Sequence, residues 1–143
     1  MIENLKYQIR VYLSGDYSLL YRTGKKNKIL NLLDKVLKKN KGKIQCQYDA
    51  FVSYVKEAEK YGLEEYPLYE WTKATIENPI KKEKYLKSFT VYVDEEEVYS
   101  KIKAEKLEKE LLPLLDEKNI TRISKHDTNP ANNPQPPEKY RRS

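Results

Sequence analysis

The segment NLKYQIRVYL, residues 4–13, alternates apolar and polar positions. Leu5, Tyr7, Ile9, Val11 and Leu13 fall on one side, and Lys6, Gln8, Arg10 and Tyr12 on the other, which is the period of a half-buried strand. Two glycines in SGDYSLLYRTG, from Ser14 to Gly24, interrupt the pattern and predict a loop or short hairpin. In KKNKILNLLDKVLKKNKG the apolar residues Ile29, Leu30, Leu32, Leu33, Val36 and Leu37 recur at three- and four-residue spacing. That spacing predicts a helix, with Gly42 where a C-terminal cap belongs. KIQCQY alternates through Ile44, Cys46 and Tyr48 and predicts a short strand. Asp49 is placed to cap a second helix, in which Phe51, Tyr54, Val55 and Ala58 share a face and Gly62 closes the end.

PLYEWTKATIENP, residues 67–79, is rich in aromatic and β-branched residues and predicts a strand to Ile76, with Trp71 as a core anchor. KSFTVYVD, residues 87–94, predicts another strand, and ENPIKKEKYL between the two closes a hairpin. Asp94 with Glu97 reads as a capping box opening a long helix, whose acidic first turn suits the helix dipole and which Pro113 ends or kinks. ITRIS, residues 120–124, is a last short strand. The order β, α, β, α, β, β, α, β predicts an α+β fold: a single small domain over residues 1–126. Its sheet has four or five short strands, with about three helices packed mainly on one face. A ferredoxin-like core is one way to assemble part of that order, an analogy of element sequence that implies no activity.

Composition thins this picture without changing it. The chain has 143 residues, enough for one domain, and its 38% hydrophobic against 35% charged residues predicts a thin core to which the 13 tyrosines contribute. One cysteine, Cys46, cannot form a disulfide within the chain and fits a reducing compartment. The start MIENLKYQIR has no apolar leader core, and no run approaches the ~18 apolar residues of a membrane span. The expectation is a protein of the cytoplasm or of an assembled particle, with no membrane partner.

Residue types exclude several chemistries. One cysteine and one histidine, His126, cannot build a Cys/His zinc site or a paired-histidine metal site within one chain. There is no GxxxxGK phosphate loop and no GxGxxG turn, so no nucleotide cofactor is expected. His126 lies beside the proline-rich tail with no nucleophile elbow in the chain, and reads as a surface or turn histidine rather than a catalytic base. Asp49, Glu70, Glu77 and Asp94, expected at or near strand ends, with Lys73, leave a small magnesium-dependent nuclease as the weakest of three functional readings. The expectation is no catalytic residue, no metal and no cofactor.

Charge is distributed unevenly: residues 1–48 carry a net +8, and the rest of the chain −2, of the overall +6. Lys28, Lys35, Lys38 and Lys39 lie along one side of the basic helix, and Lys25, Lys26, Lys41 and Lys43 flank it. Such an array can follow a phosphate backbone without reading bases, and Tyr17 and Tyr21 with Arg22 before it could stack on unpaired bases. The first reading is therefore a non-enzymatic protein contacting nucleic acid or a nucleoprotein assembly through this face. IKKEKYLK, residues 80–87, interleaves lysines with Tyr85 at the expected hairpin tip, and reads first as a charged, soluble tip. The final stretch DTNPANNPQPPEKYRRS, residues 127–143, is expected to be an extended, polyproline-like C-terminal tail, with Tyr140, Arg141 and Arg142 as its anchor. Docking of that tail and of tyrosines on a protein partner, as an inhibitor or assembly subunit, is the alternative reading.

Overall fold

A computed structural model describes residues 7–128. The expected first strand is β1, Tyr7–Leu13, with Ile9, Val11 and Leu13 buried. The segment after it is a helix rather than a loop. In α1, Gly15–Arg22, the Ser14 side chain accepts from Tyr17 N at 3.2 Å, so Gly15 opens the first turn and does not break the chain. Tyr17, Leu20 and Tyr21 then pack at helical spacing against the core. The predicted basic helix is α2, Lys28–Lys39, capped by Asn27 and burying Leu30, Leu33 and Leu37. Gly42 does not cap it. Asn40 does, Lys41 takes the left-handed position at φ 56°, and Gly42 opens β2, Gly42–Cys46. A Cβ on Gly42 would stand 3.2 Å from both Leu37 O and Tyr92 O, so close backbone approach is what requires the glycine.

Helix α3, Gln47–Tyr61, starts directly at the end of β2, which puts Asp49 inside its first turn instead of at its cap. Gly62, at φ 108°, ends it as expected. The strand and hairpin tip expected over residues 67–86 are two helices, α4, Tyr69–Glu77, and α5, Pro79–Leu86. Tyr69, Thr72 and Thr75 recur every third residue and are buried, and Tyr69 packs with Val55 and Ala58 of α3 in a small second core beside Tyr54, Tyr66 and Ile76. Helical packing overrode the β propensity of these residues. Trp71 is half-buried on α4. The Asn78 side chain accepts from Ile80 N and Lys81 N, and Pro79 takes the first helical position, so the expected hairpin turn is a helix start.

Strand β3, Ser88–Val93, is followed by a tight turn instead of a capping box: Asp94 and Glu95 both have positive φ, and Val93 and Glu96 exchange backbone hydrogen bonds. Helix α6, Lys101–Leu111, starts six residues later than the capping-box reading implies, with Ser100 as its cap and no acid in its first turn. A 3-10 turn at Leu112–Leu114 takes in Pro113. Strand β4, Ile120–Asp127, runs past the predicted Ser124 to pair its last residue with Tyr7.

The sheet order is β2-β3-β1-β4, with every neighbouring pair antiparallel. The connection from β1 through α2 to β2 skips over β3, and that from β3 through α6 to β4 skips over β1. These two interleaved crossovers are the split β-α-β connectivity of a ferredoxin-like fold, with α3 to α5 inserted between β2 and β3. The domain is α+β, as its element order predicts. Leu30, Leu33 and Leu37 of α2 and Ala104, Leu107 and Leu111 of α6 close one face of the sheet over Ile9, Val11, Ile44, Phe89 and Val91. The alternate residues, from Gln8 on β1 to His126 on β4, form the opposite, polar face.

Candidate nucleic-acid interface

Because α2 buries Leu30, Leu33 and Leu37, its helical period turns Lys28, Lys35 and Lys39 away from the sheet, with Lys38 on the flank. The structure brings these four predicted residues to one exposed surface. Lys28, Lys35 and Lys38 have no ion pair among the described residues, nor has the exposed Lys25 before the helix. Lys39 pairs with Glu110 of α6 at 3.0 Å, and Lys26 pairs with Asp34. The Lys39 hydrogen bond holds the Glu110 carboxyl below its usual range, and the charges of Lys39 and Lys106 add to the effect.

The two other predicted contacts are engaged within the chain, Tyr21 against the core and Arg22 at the surface. Tyr21 is half-buried, its ring meets Phe89 edge-on at a centroid distance of 5.6 Å, and its hydroxyl donates to Asp34 Oδ1 at 3.1 Å. Burial first, then the Asp34 carboxylate, raises its pKa above the ordinary tyrosine value. Arg22 forms a two-pronged pair with Asp49, both contacts 2.8 Å, which ties α1 to the start of α3. Tyr17 also packs against the core. The geometry commits these three side chains to internal contacts.

Sequence reading missed the contribution of α6. Lys106 and Lys109 are exposed and carry no ion pair among the described residues, and they stand across a groove from α2 whose walls include Val36, Lys39, Glu110 and Pro113. The groove side continues past Lys41 and Lys103, the latter paired with Asp94 at 3.3 Å. The spacing of Lys103, Lys106 and Lys109 is visible in the sequence, but Glu105 and Glu108 between them and Glu110 after them disguise it as a balanced helix. The second basic run behaves differently from its loop-tip reading: on α5, Tyr85 packs edge-on against Phe51 at 5.0 Å and Lys82 lies over the Tyr48 ring at 5.4 Å.

No family model, curated protein or solved structure matches this chain. Among the described residues no group of three His, Cys, Asp or Glu side chains is gathered that could hold a metal ion. The four acids expected near strand ends do not converge as imagined: Glu70 and Glu77 ride on α4, Asp49 is paired with Arg22, and Asp94 with Lys103. Lys73 pairs with Glu59 at 3.7 Å. Cys46 is buried with its thiol against the Tyr85 and Leu86 carbonyls, and burial pushes its pKa up, which does not suit a nucleophile. None of the described helices is long and apolar enough to cross a membrane. Tyr140, Arg141 and Arg142 lie outside the described residues.

Proposed function

We propose that the protein is a non-enzymatic module that binds nucleic acid, free or within a nucleoprotein assembly, by laying the lysines of the α2 and α6 layer along a phosphate backbone. The observation that carries this reading is a set of exposed lysines on the two-helix layer that form no ion pair among the described residues: Lys28, Lys35 and Lys38 from α2, and, with Glu105, Glu108 and Glu110 on the same helix, Lys106 and Lys109 from α6. On α2 the sole acid, Asp34, is taken up by Lys26 and Tyr21. An ammonium group is a compact point charge without the planar fork that reads a base edge. The layer therefore supplies affinity and register along a backbone and carries little sequence information.

The test is fluorescence anisotropy of the full chain with labelled oligonucleotides of several unrelated sequences at low salt. The reading predicts binding with closely similar affinity for every sequence. Absence of binding to any of them at low ionic strength removes it.

A further inference from the structure

The polar face of the sheet lies on the side away from α2 and α6. Strand pairing sets Arg10 opposite Ser124 and Thr90, Tyr12 opposite Arg122 and Ser88, and Gln8 opposite His126. Beneath the long side chains sit small hydroxyl residues: Ser88, Thr90 and Ser124 are buried, as is Gln8. Arg122 is exposed, while Arg10, Tyr12, Tyr92 and His126 are half-buried. Two guanidinium groups thus share one patch, and neither has an ion pair with a carboxylate among the described residues.

Their positions are fixed from behind. Gln8 Nε2 donates to Glu97 Oε1 at 3.3 Å, which leaves Gln8 Oε1 to accept from Arg10 Nε at 2.7 Å. The guanidinium carbon of Arg122 stands 5.2 Å from the centre of the Tyr12 ring. Ser124 Oγ lies 2.7 Å from His126 Nε2. Glu97 acts from the end of the face where Gln8 and Tyr92 lie, away from Arg122.

Two titrating groups report the local potential. For Tyr12, burial pushes the phenol upward, but hydrogen bonds with Ser124 and Ser88 and the Arg10 charge outweigh it, leaving the phenol below its ordinary value. For His126, burial and then the charges of Arg10 and Arg122 push the imidazole down to about 4. Around Arg10 and Arg122 one group is biased toward its anion and the other against its cation, whereas Tyr92, nearer Glu97, is raised by burial and by that carboxylate.

We propose that this sheet face is a second binding surface, which takes the phosphodiester backbone of a single nucleic-acid strand between Arg10 and Arg122. Charge complementarity selects the occupant: two cations without carboxylate partners among the described residues, beside a neutral imidazole, match a phosphodiester. A single strand fits better than a duplex because Tyr92 shares the face and offers a π surface that only an unpaired base can use. The proposal concerns different residues from the helical layer and stands whether or not that layer binds.

The experiment uses the full chain and a single-stranded oligothymidylate of about twelve nucleotides, within the span of a single-strand site. His126 is the chain's one histidine, so its ring signals in an NMR spectrum are unambiguous. The expected result is that the oligonucleotide shifts the His126 ring signals. Arg122→Gln, at an exposed position, should raise the oligonucleotide concentration that gives half of the shift about tenfold, the scale of one lost charge-assisted hydrogen bond. Arg10→Gln should do the same, while changing Lys28, Lys35 and Lys38 together to glutamine should leave the shift in place once the strand is saturating. Unmoved His126 signals at saturating oligonucleotide overturn the proposal, even if the strand binds elsewhere. So does a shift that follows the parent's concentration dependence in both arginine variants, or one that inorganic phosphate reproduces at the same phosphate concentration.

Discussion

The Tyr99 hydroxyl accepts a hydrogen bond from Ile9 N at 2.8 Å and, in the same position, donates to Val91 O at 3.0 Å. Ile9 and Val91 face each other across β1 and β3, so the phenol stands as a wedge in the ladder where the two strands fork. Beyond the fork Tyr7 exchanges backbone hydrogen bonds with Tyr99 itself. Removing the hydroxyl in Tyr99→Phe leaves a buried donor and a buried acceptor without partners, which should cost ~1–3 kcal/mol in urea unfolding. Burial pushes the phenol up to about 12 from an ordinary 10. A raised value in the folded state means stability is complete below pH 10 and falls as pH rises toward about 12. Tyr99→Phe should remove that part of the alkaline loss; a variant as stable as the parent would mean the strands close without the wedge.

The Asn78 side chain holds the first turn of α5 through Ile80 N at 3.0 Å and Lys81 N at 3.1 Å. Asn78→Ala should destabilise the domain by ~1 kcal/mol, and Asn78→Gly by a few tenths, because glycine tolerates the cap conformation. Denaturant midpoints of the two variants check this ordering.

His126 makes the acid side of the stability profile readable. The charges that act on its ring are those of Arg10 on β1 and Arg122 on β4. Its folded value, about 4, lies below the ordinary 6.5, so the unfolded chain binds the proton more readily between those limits. The stability it contributes is complete above pH 6.5 and drains away as pH falls toward about 4. His126→Gln should flatten that part of the profile, with the carboxylates accounting for what remains. An NMR titration of the free protein with a midpoint near the ordinary value would contradict the burial and charge that the sheet face imposes.

How much of this was legible depended on how local each cause is. Strands β1, β2 and β3 and helix α2 announce themselves by alternation or by three- and four-residue spacing, because each has one apolar face. Helix α1 hides because Gly15 looks like punctuation until Ser14 is recognised as its cap. Helices α4 and α5 hide because Tyr69, Thr72, Thr75 and Ile76 favour a strand in isolation, and only α3 supplies the surface that makes their helical face worth burying. The lysines of α2 are legible as a row, but the fate of Lys26 and Lys39 is not, since Asp34 and Glu110 reach them through packing. The meeting of Arg10 with Arg122 is beyond local reading altogether: it arises from pairing the first described strand with the last.

The central claim is that the lysine layer binds a nucleic-acid backbone electrostatically, and its most direct measurement is the salt dependence of binding by the parent and by the Lys28→Gln, Lys35→Gln, Lys38→Gln variant. Each neutralised phosphate contributes about −0.9 to the slope of log K against log salt on duplex, and about −0.7 on single strands. The account predicts that the variant keeps its fold, binds more weakly at low salt, and shows a slope shallower by about two to three such increments. Equal affinity and equal slope for parent and variant at every salt concentration would contradict it.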